Sequence, residues 1–126
     1  MDKTKILTID DSPDMLFLER IVLEREGYEV FTADNAESAL KMIQQIPDLS
    51  LILCDVQMEK MAGLQFVKNL ETNHQRIFNN TPVVLVTALD TFPEAKIAGC
   101  IRKIADLDEF AAKVKSFIPS PSPRAT

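Results

Sequence analysis

The segment Leu51–Asp55, with the sequence LILCD, is a short apolar run that ends in a carboxylate. Such a run is typical of a strand that is buried on both faces, as in a parallel sheet. In open α/β sheets, ligands bind beyond the carboxyl ends of the strands. The sequence therefore predicts that Asp55 lies at the rim of the core and is the main functional residue of the chain.

The chain has the length and composition of one globular domain. Its 126 residues are 46% hydrophobic and 26% charged, which suits a single core. The net charge of −5 and the lack of a basic run argue against direct binding of nucleic acid. No apolar stretch approaches the ~20 residues that span a bilayer, and the polar N-terminus has no signal-peptide pattern. We therefore expect no membrane insertion.

The two cysteines, Cys54 and Cys100, indicate the redox environment in which the protein is found. Their spacing is not that of a metal site, and both lie in apolar surroundings. Reduced, buried thiols are typical of cytoplasmic proteins, and we expect a cytoplasmic location.

Strand-like and helix-like segments alternate along the chain. Ser12 and Pro13 begin a first helix that runs to about Glu26 and ends at Gly27, and Asn35 caps a second helix. The first helix has a predicted stripe of Met15, Leu18, Ile21, Val22 and Arg25. The predicted strands are 5–9, 28–33, 50–55 and 82–87, with a fifth within 94–103; a third helix follows Gly63, residues 72–81 form a loop, and a last helix starts at Asp106. This alternation predicts an α/β fold with a parallel sheet and helices on both sides.

Polar residues follow three of the predicted strands where each strand ends. Asp10 and Asp11 follow the first strand, Asp55 ends the third, and Thr87 ends the fourth. If the first and third strands are neighbours, the three carboxylates converge and need a compensating cation. Oxygen ligands without Cys or His favour Mg²⁺ over transition metals. The alternative is that Asp10 and Asp11 are solvated turn residues.

Asp55 has the chemistry of a phosphoryl acceptor. A carboxylate can accept a phosphoryl group to give an acyl phosphate, and the transfer needs positioning and charge neutralisation more than covalent help. Thr87 and Lys103 are available to bind the phosphoryl oxygens. Alternatively, Thr87 is an ordinary strand residue and Lys103 a solvated surface lysine.

Four segments in order, ILTIDDSPDM, LILCDVQMEKMAG, PVVLVTA and RKIADLDEF, resemble the receiver domain of bacterial two-component response regulators. The resemblance covers roughly residues 4–118. It implies a flavodoxin-like, doubly wound, five-stranded parallel sheet in the order 2-1-3-4-5. The receiver domain is then expected to span residues 1–118, with 119–126 as a flexible tail or linker.

The resemblance assigns a role to each candidate residue. Asp55 is expected to take a phosphoryl group from a histidine kinase or phosphotransfer protein. The modification is then expected to shift a two-state equilibrium and change binding to a downstream partner. The other implied roles are Mg²⁺ binding by Asp10, Asp11, Asp55 and the backbone carbonyl of Gln57, a switch hydroxyl on Thr87, and a phosphoryl-pairing lysine, Lys103.

The chain departs from the family pattern in several places. Departures in sequence are Glu59 where the family usually has proline, Ala62 where it often has Asp, Cys100 where it usually has an aromatic residue, and Ile104 where it usually has proline. The segment between Thr87 and Lys103 is also shorter than usual, so the helix between the fourth and fifth strands is expected to be shortened or lost. If the last strand is displaced, Arg102 rather than Lys103 would face the site.

These departures keep other functions open. One alternative is a pseudo-receiver, which binds a protein partner without phosphorylation. Another is a phosphatase with an Asp nucleophile, but Val56 and Gln57 stand where such an enzyme needs a second acid. Receivers are not conventional enzymes, since they assist only their own phosphorylation and dephosphorylation. Pairing of two copies into a homodimer is also left open.

Overall fold

The computed structural model describes residues 4–55, 63–87, 99–102 and 107–118. Within them, five parallel strands form one sheet in the order β2-β1-β3-β4-β5. The strands are β1 Lys5–Ile9, β2 Glu29–Ala33, β3 Leu51–Asp55, β4 Val83–Thr87 and β5 Gly99–Arg102. The predicted fold class and strand order are confirmed.

Helices cover both faces of the sheet. They are α1 Pro13–Arg25, α2 Ala36–Gln45, α3 Gly63–Asn73, α4 Gln75–Asn80 and α5 Leu107–Phe117. Side chains of α2, α3 and α4 pack on one face, and those of α1 and α5 pack on the other. Both faces of β3 are therefore covered, and every residue of that strand is buried.

Short polar residues fix the helix ends, as the sequence predicts. The Ser12 hydroxyl accepts a hydrogen bond from the Met15 amide at 3.3 Å, and Asn35 accepts one from the Ser38 amide at 2.8 Å. These caps satisfy amides that have no partner inside the helix. Gly27, just after α1, has a φ of 95°, a conformation that costs glycine little.

The buried face of α1 differs from the predicted stripe. Leu18 and Ile21 are 40% and 41% exposed, and the residues that face the core are Leu16, Glu19, Val22 and Leu23. The apolar residues of α1 occur around much of its circumference, so periodicity alone does not predict which face of the helix packs against the sheet. Glu19 occupies a core position because its carboxylate accepts a hydrogen bond from the Thr8 hydroxyl on β1.

The prediction of a loop over residues 72–81 is wrong. Helix α3 continues to Asn73, and α4 follows as a second helix before β4. The segment is mostly polar, but Ile77 and Phe78 pack against the core formed by α2 and α3. Tertiary packing therefore stabilises a helix that local propensity does not favour.

The outer strand β5 packs closely against the end of α5. A Cβ atom built on Gly99 would lie 2.6 Å from Cζ of Phe117. A side chain at this position would require the Phe117 ring to move, so glycine suits this close approach at the start of β5.

Two predictions concern parts of the chain outside the described ranges. The shortened or lost helix between β4 and β5 falls on residues 88–98, and the predicted tail falls on 119–126. Among the described helices, none is both long enough and apolar enough to cross a bilayer.

Candidate functional site

Strand pairing brings the predicted carboxylates together. In the register of β1 and β3, Ile9 is opposite Cys54, so Asp10 and Asp55 follow side by side at the carboxyl edge of the sheet. Carboxylate oxygens of Asp10, Asp11 and Asp55 all lie within 4.8 Å of one another. The predicted convergence of these three acids is confirmed.

The three acids differ in exposure. Asp10 and Asp55 are only 1% and 3% exposed, whereas Asp11 is exposed. Asp10 is held by backbone bonds: its carboxylate accepts from the Ser12 amide at 2.9 Å, and its own amide donates to the Ala33 carbonyl at 3.1 Å. Asp10 is therefore not the solvated turn residue of the alternative interpretation, and Asp11 forms the open side of the cluster.

The neighbouring thiol of Cys54 does not take part in the acidic cluster. Cys54 is free and fully buried, and burial is the main reason that its pKa is raised far above the ordinary value. The negative charges of Asp55 and Asp10 raise the pKa further. The thiol therefore stays protonated, and its sulfur donates to the Asp55 carbonyl oxygen at 3.6 Å.

The donor set of the cluster suits a hard divalent cation. Three carboxylates offer oxygen atoms within 4.8 Å of one another, and octahedral Mg²⁺ keeps its oxygen ligands at about 2.0–2.1 Å from the ion. The protonated Cys54 offers no thiolate ligand to a softer metal. The residues present could thus hold a metal ion of this class.

The other predicted site residues are described only in part. Thr87 is the last residue of β4 and pairs in register with Arg102 of β5, but its side chain is outside the described part of the chain. Gln57 and Lys103 are outside the described residues altogether. Their roles stay predictions.

Two features near the site were not predicted from sequence. The first is the buried pair of Thr8 and Glu19, on the same face of the sheet as Asp10. Thr8 interrupts an apolar strand two residues before Asp10, which was a usable signal for a polar contact. The second is an exposed apolar face of α1, formed by Phe17, Leu18 and Ile21 at 63%, 40% and 41% exposure.

The family model of the response regulator receiver domain matches residues 6–115 of the chain. The chain belongs to this family. Sporulation initiation phosphotransferase F of Bacillus subtilis (strain 168) is 33% identical over 126 residues, covering 94% of this chain and 97% of that protein. The transcriptional regulatory protein CpxR of Escherichia coli (strain K12) is 37% identical over 84 residues, which cover 67% of this chain but only 33% of CpxR.

Solved receiver structures superimpose on the same fold. Chemotaxis protein CheY4 of Vibrio cholerae matches with a TM-score of 0.83 and 27% identity, over 93% of this chain and 100% of that one. TrrA of Thermotoga maritima, crystallised with Mg²⁺ and BeF, matches with a TM-score of 0.78 and 27% identity, over 91% and 99% of the two chains. TrrA has also been crystallised with the histidine kinase ThkA. The chain is thus a receiver domain of two-component phosphorelay signalling, not a conventional enzyme.

Proposed function

We propose that this receiver domain accepts a phosphoryl group on Asp55, with Mg²⁺ bound by Asp10, Asp11, Asp55 and the backbone carbonyl of Gln57. The observation that carries the proposal is the close approach of the three carboxylates at the ends of β1 and β3. The Mg²⁺–BeF complex of the relative TrrA supports the choice of ion.

The reaction is a direct transfer to the carboxylate of Asp55. An Asp55 oxygen attacks the phosphorus, the new O–P bond forms, and the bond from phosphorus to the donor breaks with its electron pair left on the donor. When bound, Mg²⁺ supplies positive charge to the phosphoryl oxygens. The backbone bonds to Ser12 and Ala33 hold Asp10 in position, so the site is preorganised on the protein side.

Thr87 and Lys103 complete the proposed site. The Thr87 hydroxyl and the Lys103 ammonium would bind the phosphoryl oxygens that the metal does not. Support comes from the sheet, in which β4 lies beside β3 and β5 lies beside β4. The pairing of β5 with β4 up to Arg102 supports Lys103, the next residue, for this role.

The proposed phosphoryl donor is a histidine kinase or a phosphotransfer protein. The crystal complex of TrrA with ThkA and the similarity to phosphotransferase F support this class of donor. The exposed apolar face of α1 supports a protein donor as well, because α1 begins two residues after Asp11 and offers a docking surface beside the site. Phosphorylation then changes the affinity of the receiver for a downstream partner.

Intact-mass detection of phosphorylation tests the proposal. The chain and its Asp55→Asn variant are incubated with acetyl phosphate and Mg²⁺. We expect one Mg²⁺-dependent phosphoryl adduct on the chain and none on Asp55→Asn. If the folded protein gives no adduct and binds no Mg²⁺ in titration, the proposal is wrong, and the pseudo-receiver function that Cys100 and Ile104 favour takes its place.

A further inference from the structure

A groove lies at the amino ends of the strands, at the opposite end of the sheet from the acidic cluster. It has a volume of about 420 Å³ and lies between the end of α2, the end of α3 and helix α4. The crossover from β3 to β4 contains two described helices, and the second of them, α4, forms one wall of this groove.

The groove is separate from the proposed phosphorylation site. Its residues come just before β3 and β4 begin, whereas the carboxylates of the acidic cluster come where β1 and β3 end. A parallel strand rises ~3.3 Å per residue, so the length of a strand like β3 puts roughly 13 Å or more between the two edges. A ligand in the groove would not touch the acidic cluster.

The electrostatics of the groove oppose those of the chain as a whole. The chain has 19 acidic residues against 14 basic ones, yet the described lining contains Arg76 and His74 and no carboxylate. Arg76 is exposed and forms no ion pair with any residue in the described ranges. Its guanidinium is therefore available to an anion from solution.

The rest of the lining suits a small molecule with an apolar body. Pro47 and Ile77 provide apolar surface, and the side-chain amides of Gln44 and Gln75 provide donors and acceptors at the edge. A volume of about 420 Å³ is at the lower end of the ~300–1,000 Å³ of ligand pockets. This size favours a small molecule over a protein partner.

We propose that this groove binds a small organic monocarboxylate. The carboxylate pairs with the guanidinium of Arg76, and the apolar body packs on Pro47 and Ile77. The planar guanidinium can bind a carboxylate through two parallel hydrogen bonds. The proposal is independent of phosphorylation at Asp55.

The test is a titration of the ¹⁵N-labelled chain with sodium benzoate, followed by amide chemical shifts at constant ionic strength. We expect saturable shifts confined to the end of α2 and to residues 73–81. Benzyl alcohol, which has the ring without the charge, should bind about tenfold more weakly or worse. Arg76→Gln should weaken benzoate binding to a similar extent. The control Arg20→Gln changes an exposed arginine on α1, outside the groove, and should not change benzoate binding.

Three results would overturn the proposal. The first is a benzoate response that does not saturate or that spreads over the whole chain. The second is equal binding of benzoate and benzyl alcohol, which needs no variant to measure. The third is saturation of the same amides by inorganic phosphate at a lower concentration than by benzoate, which would make the site a phosphate site.

Discussion

The hydroxyl of Thr8 on β1 donates a hydrogen bond to the carboxylate of Glu19 on α1, and the two residues are only 1% and 3% exposed. This polar contact joins the first helix to the strand that leads into Asp10. A buried acid depends on its donors, because loss of one leaves a desolvation penalty without its compensation.

Thr8→Val should therefore lower the free energy of unfolding. The variant keeps the shape of the side chain but removes one donor from the Glu19 carboxylate, and hydrogen bonds to charged groups contribute about 1.5–3 kcal/mol. Urea unfolding measures the change. The double variant Thr8→Val/Glu19→Leu should be more stable than the sum of the single effects predicts, because both partners are then apolar. Strictly additive effects would show that the two side chains are not coupled.

Mg²⁺ should stabilise the folded chain, and Asp10→Asn should reduce that effect. A ligand that binds only the folded state at a concentration of 100 Kd adds about 2.7 kcal/mol. Without Mg²⁺ the same variant should be more stable than the parent chain, because one of three clustered negative charges is removed. Thermal unfolding with and without Mg²⁺ measures both effects. Asp14→Asn, an exposed acid on α1, is the control; an equal loss of the Mg²⁺ response in that variant would contradict a site at Asp10.

Phe17→Ala should slow phosphorylation by a protein donor without slowing phosphorylation by acetyl phosphate. Phe17 is 63% exposed on α1, so its stability effect should stay within about 0.5 kcal/mol. An aromatic residue at the centre of an interface contributes about 2 kcal/mol or more, which corresponds to a loss of about 30-fold or greater in binding. Phosphorylation rates with the two kinds of donor measure the difference. Equal slowing with both donors would place the effect at Asp55 instead of at a docking surface.

Cys54 should resist alkylation in the folded chain. Its thiol is buried and its pKa is raised, while alkylation requires an accessible thiolate. In a Cys100→Ser background, iodoacetamide at pH 8 should modify Cys54 only as fast as the chain unfolds, and urea should accelerate the reaction. Mass spectrometry over time measures the rate. Rapid modification without urea would mean that the end of β3 opens without global unfolding.

Local sequence signals account for most of the fold and for the centre of the site. β3 is uniformly apolar, Ser12 and Asn35 are strong helix caps, and acids follow two strands that a parallel sheet places side by side. These features depend on neighbours in sequence and on strand order, so they could be predicted. The roles of Thr87, Lys103 and Gln57 stay predictions.

The features that were missed depend on tertiary contacts. The face of α1 that meets the sheet includes Glu19, whose carboxylate bonds to Thr8, 11 residues away in sequence. Helix α4 forms in a polar segment because Ile77 and Phe78 reach the core. In both cases the local pattern allows more than one structure, and packing against distant residues selects one of them.

The contact between Gly99 and Phe117 joins the outermost strand of the described sheet to the last helix. β5 is an edge strand of the sheet, and edge strands are templates on which other chains can add a strand and aggregate. The Phe117 ring lies where a side chain at Gly99 would be, so it packs on the face of this strand and not along its hydrogen-bonding edge. Loss of the final turn of α5 would thus remove packing from an edge strand as well as shorten a helix.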